Sequence, residues 1–167
     1  MALKWLRTKS TPPEASTAGK FNSFTKTIRE SRARPPPVVA KLINQDQVRA
    51  LIGEVASSNS IAAAPNAQKA KVPMISPSST NPKVTQIGDY IFRVCFIDPF
   101  QGEVMAKFAL NSLKAKKAAI LFDSNSDYSK GLVQFFKAAF TKLGGTIVTE
   151  KAYAQRDRDF TGPVDCD

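Results

Sequence analysis

Leu51-Ile-Gly-Glu-Val-Ala-Ser-Ser-Asn-Ser-Ile-Ala-Ala-Ala-Pro65, followed by Val72-Pro-Met-Ile-Ser-Pro-Ser-Ser-Thr-Asn-Pro82, is the stretch whose pattern sets the fold class. Residues 50–55 form the short apolar run of a strand. Ser57, Ser58, Asn59 and Ser60 are helix-capping types placed directly before the alanine-rich segment 61–70, which predicts a helix there. Pro65 fits such a helix only near its first turn. Residues 72–76 read as a second buried strand, and 77–82 as a loop of hydroxyl residues and prolines. A strand, a helix and a strand in this order form a crossover unit, which makes the two strands parallel neighbours.

Outward from this unit the alternation continues. Val38, Val39, Leu42 and Ile43 have the spacing of one helix face, ending near Asp46. Residues 90–95 read as a strand and 100–113 as a helix with Val104, Phe108 and Leu113 turned inward. Residues 118–122 are a continuous apolar strand, 129–143 an amphipathic helix stopped by Gly144 and Gly145, and 146–149 a further strand. Phe135, Phe136 and Phe140 share a helical spacing and read as core, with at most one ring exposed. The order predicts an α/β fold with a mainly parallel sheet covered by helices on both faces, a three-layer αβα arrangement. Ligands in such folds sit at the carboxyl ends of strands.

Composition narrows the chemistry. The 167 residues are 43% apolar and 23% charged, the mix of a folded domain. No apolar stretch approaches the roughly 20 residues of a membrane-spanning helix. The chain has no histidine, which removes Ser-His-Asp triads, Cys-His pairs and imidazole zinc sites. Cys95 and Cys166 form no C-x-x-C pattern, so they specify neither a metal site nor a disulfide framework. No glycine-rich phosphate-binding motif is present. The expectation is a protein that is not an enzyme, with no metal and no cofactor.

Net charge is +10, but residues 1–37 carry +6 of it, among prolines, serines and threonines with little periodicity. That segment reads as a basic, poorly ordered tail. A small α/β domain whose basic N-terminal arm binds nucleic acid or another anionic partner is the rival functional reading, although no nucleic-acid partner is expected. Met1 to Arg7 has a charged start without the apolar run of a secretory signal behind it, so no export signal is expected in the sequence given.

Chemistry gathers at strand ends. Residues 56–60 offer serine hydroxyls and the free N–H groups of a helix start, a setting that can hold an anion such as a carboxylate. The plain alternative is an N-cap and nothing more. Residues 76–82 add the hydroxyls of Ser76, Ser78, Ser79 and Thr80, so the two loops together could hold a small zwitterion with neutral groups; a proline-stiffened turn is the alternative. After the strand at 118–122 come Asp123 and Asp127, with Tyr128 able to lay a ring over a ligand; alternatively Asp127 caps the next helix and Tyr128 packs on its first turn. An enzyme using Asp123 and Asp127 would require a bound metal or phosphate near them.

The same residues carry a resemblance. The two quoted stretches, continued by Tyr90-Ile-Phe-Arg-Val, Asp98-Pro-Phe-Gln-Gly, Lys116-Lys-Ala-Ala-Ile-Leu-Phe-Asp, Asp127-Tyr-Ser-Lys-Gly-Leu, Lys142-Leu-Gly-Gly and Asp157-Arg-Asp-Phe, are similar to the substrate-binding proteins of branched-chain amino acid ABC transporters. These are leucine/isoleucine/valine-binding members of the type I periplasmic binding proteins. The resemblance covers residues 38–161. It implies a non-catalytic receptor in which two α/β lobes close around an aliphatic amino acid, dock on a membrane permease and reside in the periplasm. It implies ligand contacts at Ala56 and Ser57 (the carboxylate), Ser78 (the ammonium group, through its carbonyl), Ser79, Thr80 (hydroxyl and amide) and Tyr128 (closing from the second lobe). The organisation that follows is a tail at 1–37, a partial first lobe at 38–115, the start of a second lobe at 116–161 and a non-family tail at 162–167. Both edges read as frame breaks or truncation, leaving the lobes incomplete and sheet faces uncovered.

Overall fold

The structure is a computed structural model that describes residues 35–155 and 157; the expectations for 1–34 and 158–167, and for Cys166, lie outside the described residues. The first element is helix α1, Pro35–Asn44. Its first turn is made by Pro35, Pro36 and Pro37, which the sequence pattern placed in the tail. Proline is at home there because first-turn N–H groups have no intrahelical partner. β1 (Leu51–Ile52), α2 (Ser57–Ala70) and β2 (Met74–Ser76) follow, then a 3₁₀ turn at Pro82–Val84 and β3 (Ile91–Arg93). The three strands are parallel in the order β1-β2-β3.

In this sheet Leu51, Met74 and Ile91 are in register, as are Ile52, Ile75 and Phe92. The first row is buried and packs with Val39, Ala63, Ala64, Ala67 and Val84 into the main apolar cluster. The alternation of strand side chains sends the second row to the opposite face. There Ile52 is 84% exposed and Phe92 47%. Among the described residues, helices therefore cover one face of the sheet, and the ladder Ile52-Ile75-Phe92 is left apolar and open on its two outer strands.

α3 (Asp98–Lys107) continues into a π turn at Phe108–Ser112, followed by β4 (Lys117–Asp123), α4 (Asp127–Lys142) and β5 (Thr146–Tyr153). β4 and β5 pair in parallel as a separate two-stranded sheet. α3 packs along α4. The inner residues of α3 are Asp98, Gly102 and Ala106, not the expected Val104, Phe108 and Leu113, which are 48%, 56% and 62% exposed. The cause is close approach: a Cβ on Gly102 would lie 2.8 Å from main-chain atoms of Phe135 and Phe136 on α4. Small residues line the seam, and the large ones face outward. The phenylalanine expectation holds, with Phe140 fully buried and stacked on Phe136 at 5.2 Å. Gly144, at φ +89°, and the buried Gly145 end α4 as expected.

Two local expectations are corrected. α2 starts at Ser57, with Ala56 at the N-cap and no side-chain cap, so the serines do not cap this helix. Pro65 lies in the interior of α2. There it has no N–H to give the Ile61 carbonyl, a loss tolerated on a side chain that faces solvent.

Candidate functional site

The loops after β1 and β2 lie side by side, as the parallel pairing requires, and are joined by hydroxyl groups. The Glu54 carbonyl accepts from Ser76 Oγ at 2.6 Å, Ser79 Oγ at 3.0 Å and Ser60 Oγ at 3.2 Å. Ser60 and Ser79 also meet at 2.8 Å, and the Ser79 hydroxyl lies 3.1 Å from the Val55 carbonyl. Each hydroxyl has one proton to share among these acceptors. Ser76 Oγ in turn accepts the Ser79 N–H at 3.0 Å. Ser60, Ser76 and Ser79 are fully buried, so this knot is the floor that fixes both loops. Burial beside it pushes the Glu54 carboxyl above its ordinary range, with the hydrogen bond from Asn59 working the other way.

Of the candidate residues on these loops, Ser79 belongs to this floor and the others lie on the elements it fixes. Ala56 is exposed at the start of α2, and Ser57 lies beneath it, 2% exposed. Ser57 Oγ accepts the Asn81 N–H at 3.3 Å; its own proton remains available to an acceptor. Ser78 is exposed, and its hydroxyl donates to the Val55 carbonyl at 3.2 Å. Ser79 has its hydroxyl engaged inside the knot. Thr80 is 6% exposed, and its hydroxyl is buried without a well-formed hydrogen bond. Tyr128 follows the first residue of α4, and its hydroxyl accepts from Gln101 Nε2 at 3.0 Å. Asp127 does not cap α4; Ser126 does, accepting the Ser129 N–H at 3.2 Å. The first turn of α4 is nonetheless tied to the loops through Asp127, whose N–H donates to Ser58 Oγ at 2.9 Å and whose carbonyl accepts from Asn81 Nδ2 at 2.8 Å. The structure thus places Ala56, Ser57, Ser78, Ser79 and Thr80 on two joined loops and fastens the turn bearing Tyr128 to them.

Several residues with a part in this arrangement had been given none at the level of sequence. Arg93, at the end of β3, donates to the carbonyls of Ser79, Asn81 and Pro82 and to the Thr85 hydroxyl at 2.8–3.0 Å, pinning the second loop from behind. Its position as the only charge in the run Tyr90-Ile-Phe-Arg-Val is the signal that points to it. Asp98 is fully buried. Its main-chain N–H donates to the Thr80 carbonyl at 3.0 Å, yet neither carboxylate oxygen has a well-formed partner. Burial pushes this carboxyl above its ordinary 3.8, against smaller opposing effects of the nearby Thr80 hydroxyl and the Arg93 charge. A separate cavity of about 360 Å³ lies between the turn at 81–86 and α4. None of the six candidate residues lines it. Among the described residues no group of three or more His, Cys, Asp or Glu could hold a metal ion.

The sequence matches the periplasmic binding protein family over residues 37–165. The chain belongs to this family. It is 32% identical over 166 residues to an amino acid binding protein of Pseudomonas aeruginosa, covering 96% of this chain and 44% of that protein. That alignment runs into residues 1–37, which the resemblance had left outside. It is 34% identical over 126 residues to Leu/Ile/Val-binding protein homolog 3 of Brucella melitensis, covering 75% of this chain and 34% of the relative. Among solved structures it is similar to the leucine binding protein LivK of Thermotoga maritima, at 47% identity and a TM-score of 0.73. It is also similar to the branched-chain amino acid transporter substrate-binding protein LivJ of Streptococcus pneumoniae in complex with isoleucine, at 36% identity and a TM-score of 0.71. Each of these two covers 77% of this chain and 36% of the other. The chain thus spans between a third and a half of the length of these relatives. The fold is that of a type I periplasmic binding protein, present in part. This family consists of binding receptors, and the nucleic-acid reading finds no support in it.

Proposed function

We propose that this chain is the ligand-gripping portion of a receptor for an aliphatic, branched-chain amino acid. The observation that carries the reading is the fastening of the α4 turn bearing Tyr128 to the paired loops after β1 and β2. The ligand carboxylate would lie at the start of α2, taking the Ser57 proton and the unpaired N–H groups of the first turn. The Ser78 carbonyl would accept from the ammonium group. Thr80 would act through its main chain, because its hydroxyl is buried beside Asp98. Ser79 would serve the same site by holding both loops. Tyr128 would close over the ligand. Binding of this kind involves no covalent step, so the chain has no enzymatic activity in this reading.

The lobes divide where the chain passes from β3 to α3. Packing of α3 along α4 supports a crossing near residues 94–97, rather than the boundary at 115 and 116 that the resemblance suggested. Residence in the periplasm and delivery of the amino acid to a transporter permease belong to the same proposal, supported by the family and by the names of the relatives. Calorimetric titration tests it. Leucine, isoleucine or valine should give saturable heat, and aspartate and lysine none; equal response to all, or to the charged pair alone, overturns it.

A further inference from the structure

Asp127 opens α4, so its N–H is among those that have no acceptor within the helix. Ser126 supplies the cap from the same chain segment, but only to the Ser129 N–H. The Asp127 N–H goes to Ser58 Oγ, on α2, at 2.9 Å. Its carbonyl, which retains a second lone pair beside any helical hydrogen bond, accepts from Asn81 Nδ2 at 2.8 Å. Asn81 is 5% exposed and held in place on its other side, with Oδ1 accepting the Lys83 N–H at 3.0 Å. One turn further along α4, a Cβ on Gly131 would lie 2.9 Å from the same Nδ2 and 2.8 Å from Asp98 Oδ2. Glycine there lets α4 come down onto the pair.

We propose that Ser58 and Asn81 form a clamp between the lobes, a helix cap supplied in trans, which holds the Asp127 peptide and thereby positions Tyr128 over the strand-end loops. The division into lobes and the role of Tyr128 rest on the receptor reading above; the clamp itself rests on the hydrogen bonds. Ser58 and Asn81 are positioning residues: the side chain of neither is assigned a ligand contact.

Amide hydrogen exchange, measured by NMR on the full chain, tests it. Ser58→Ala should speed exchange of the Asp127 N–H about tenfold, the effect of one lost hydrogen bond, and Ser58→Thr, which keeps a hydroxyl, should restore it. Asn81→Asp keeps the acceptor for the Lys83 N–H but turns an acceptor toward the Asp127 carbonyl. It should speed exchange in the first turn of α4 while the Lys83 amide stays protected. The Met74 amide, in the core, reports whether each variant is folded. Unchanged exchange at Asp127 in Ser58→Ala, or loss of protection at Lys83 together with α4 in Asn81→Asp, overturns the clamp. Leucine affinity is read separately on the same samples. A wild-type chain that ignores leucine but shows the expected exchange pattern refutes the receptor reading and upholds the clamp; leucine binding with the wrong exchange pattern does the reverse.

Discussion

Gly102→Ala should loosen α3 from α4, although alanine is the better helix former. In a free helix the exchange gains about 1 kcal/mol. Here the new Cβ would stand 2.8 Å from Phe135 C, Phe135 Cβ and Phe136 N. Two of these are main-chain atoms and the third is fixed to one, so no rotamer change relieves the contact and the helices must move apart. Overpacking costs about 1–3 kcal/mol, and the immobility of all three atoms puts this case at the upper end. The net loss is then about 2 kcal/mol, and at about 2–4 °C per kcal/mol for a chain of this size the melting temperature should fall by about 4–8 °C. Thermal unfolding followed by circular dichroism, with urea unfolding as a second measure, reads it directly. A variant as stable as the wild type, or more so, would show that α3 and α4 are not in main-chain contact and would refute the packing argument.

Gly144→Ala meets no atom within 4 Å, but φ is +89°, so its cost is conformational; a loss of about 1–2 kcal/mol in urea unfolding is expected, and no loss would mean that α4 ends differently. Asp98 has a folded-state pKa above its ordinary value, so the native state holds the proton more tightly than the unfolded chain, and stability falls as pH rises from 3.8 through the folded value. Asp98→Asn removes that fall, and its melting temperature should gain on the wild type between acid and neutral pH; a relative loss at neutral pH would mean that the charged carboxylate carries a bond the fold requires. Replacing Ile52 and Phe92 together by threonine should reduce concentration-dependent association in sedimentation velocity, because both lie on the open face of the β1-β2-β3 sheet. Unchanged association would place the sticky surface elsewhere, for instance on the exposed face of α3 around Phe100 and Phe108.

Local pattern was enough to locate the elements, because a crossover unit declares itself through short apolar strands, polar loops and a helix of fixed phase. It gave the strand-end loops for the same reason. Pattern alone could not show which side of α3 faces inward. That face is chosen by close approach, where Gly102 and Ala106 outrank Val104 and Phe108, and hydrophobicity ranks them the other way. Nor could it separate serines whose hydroxyl proton stays available from serines that build the floor. Ser57, Ser60, Ser76 and Ser79 have the same chemistry, and only the position of the Glu54 carbonyl, set by tertiary packing, assigns three of them to the knot. Arg93 and Asp98 escaped notice because what they meet is distant in sequence: Arg93 holds the carbonyls of Ser79, Asn81 and Pro82, and Asp98 is buried beside Thr80, neighbours that no spacing rule encodes.

The central claim is that an aliphatic amino acid binds on the strand-end loops. An NMR titration of the isotope-labelled chain with leucine, carried to millimolar concentration, tests it residue by residue. The account predicts that the amides of Ser57, Ser58, Thr80 and Tyr128 shift in a saturable way while those of Lys83 and Gln134, beside the separate cavity, stay in place. Shifts confined to that cavity, or none in the two loops at any leucine concentration, would contradict it.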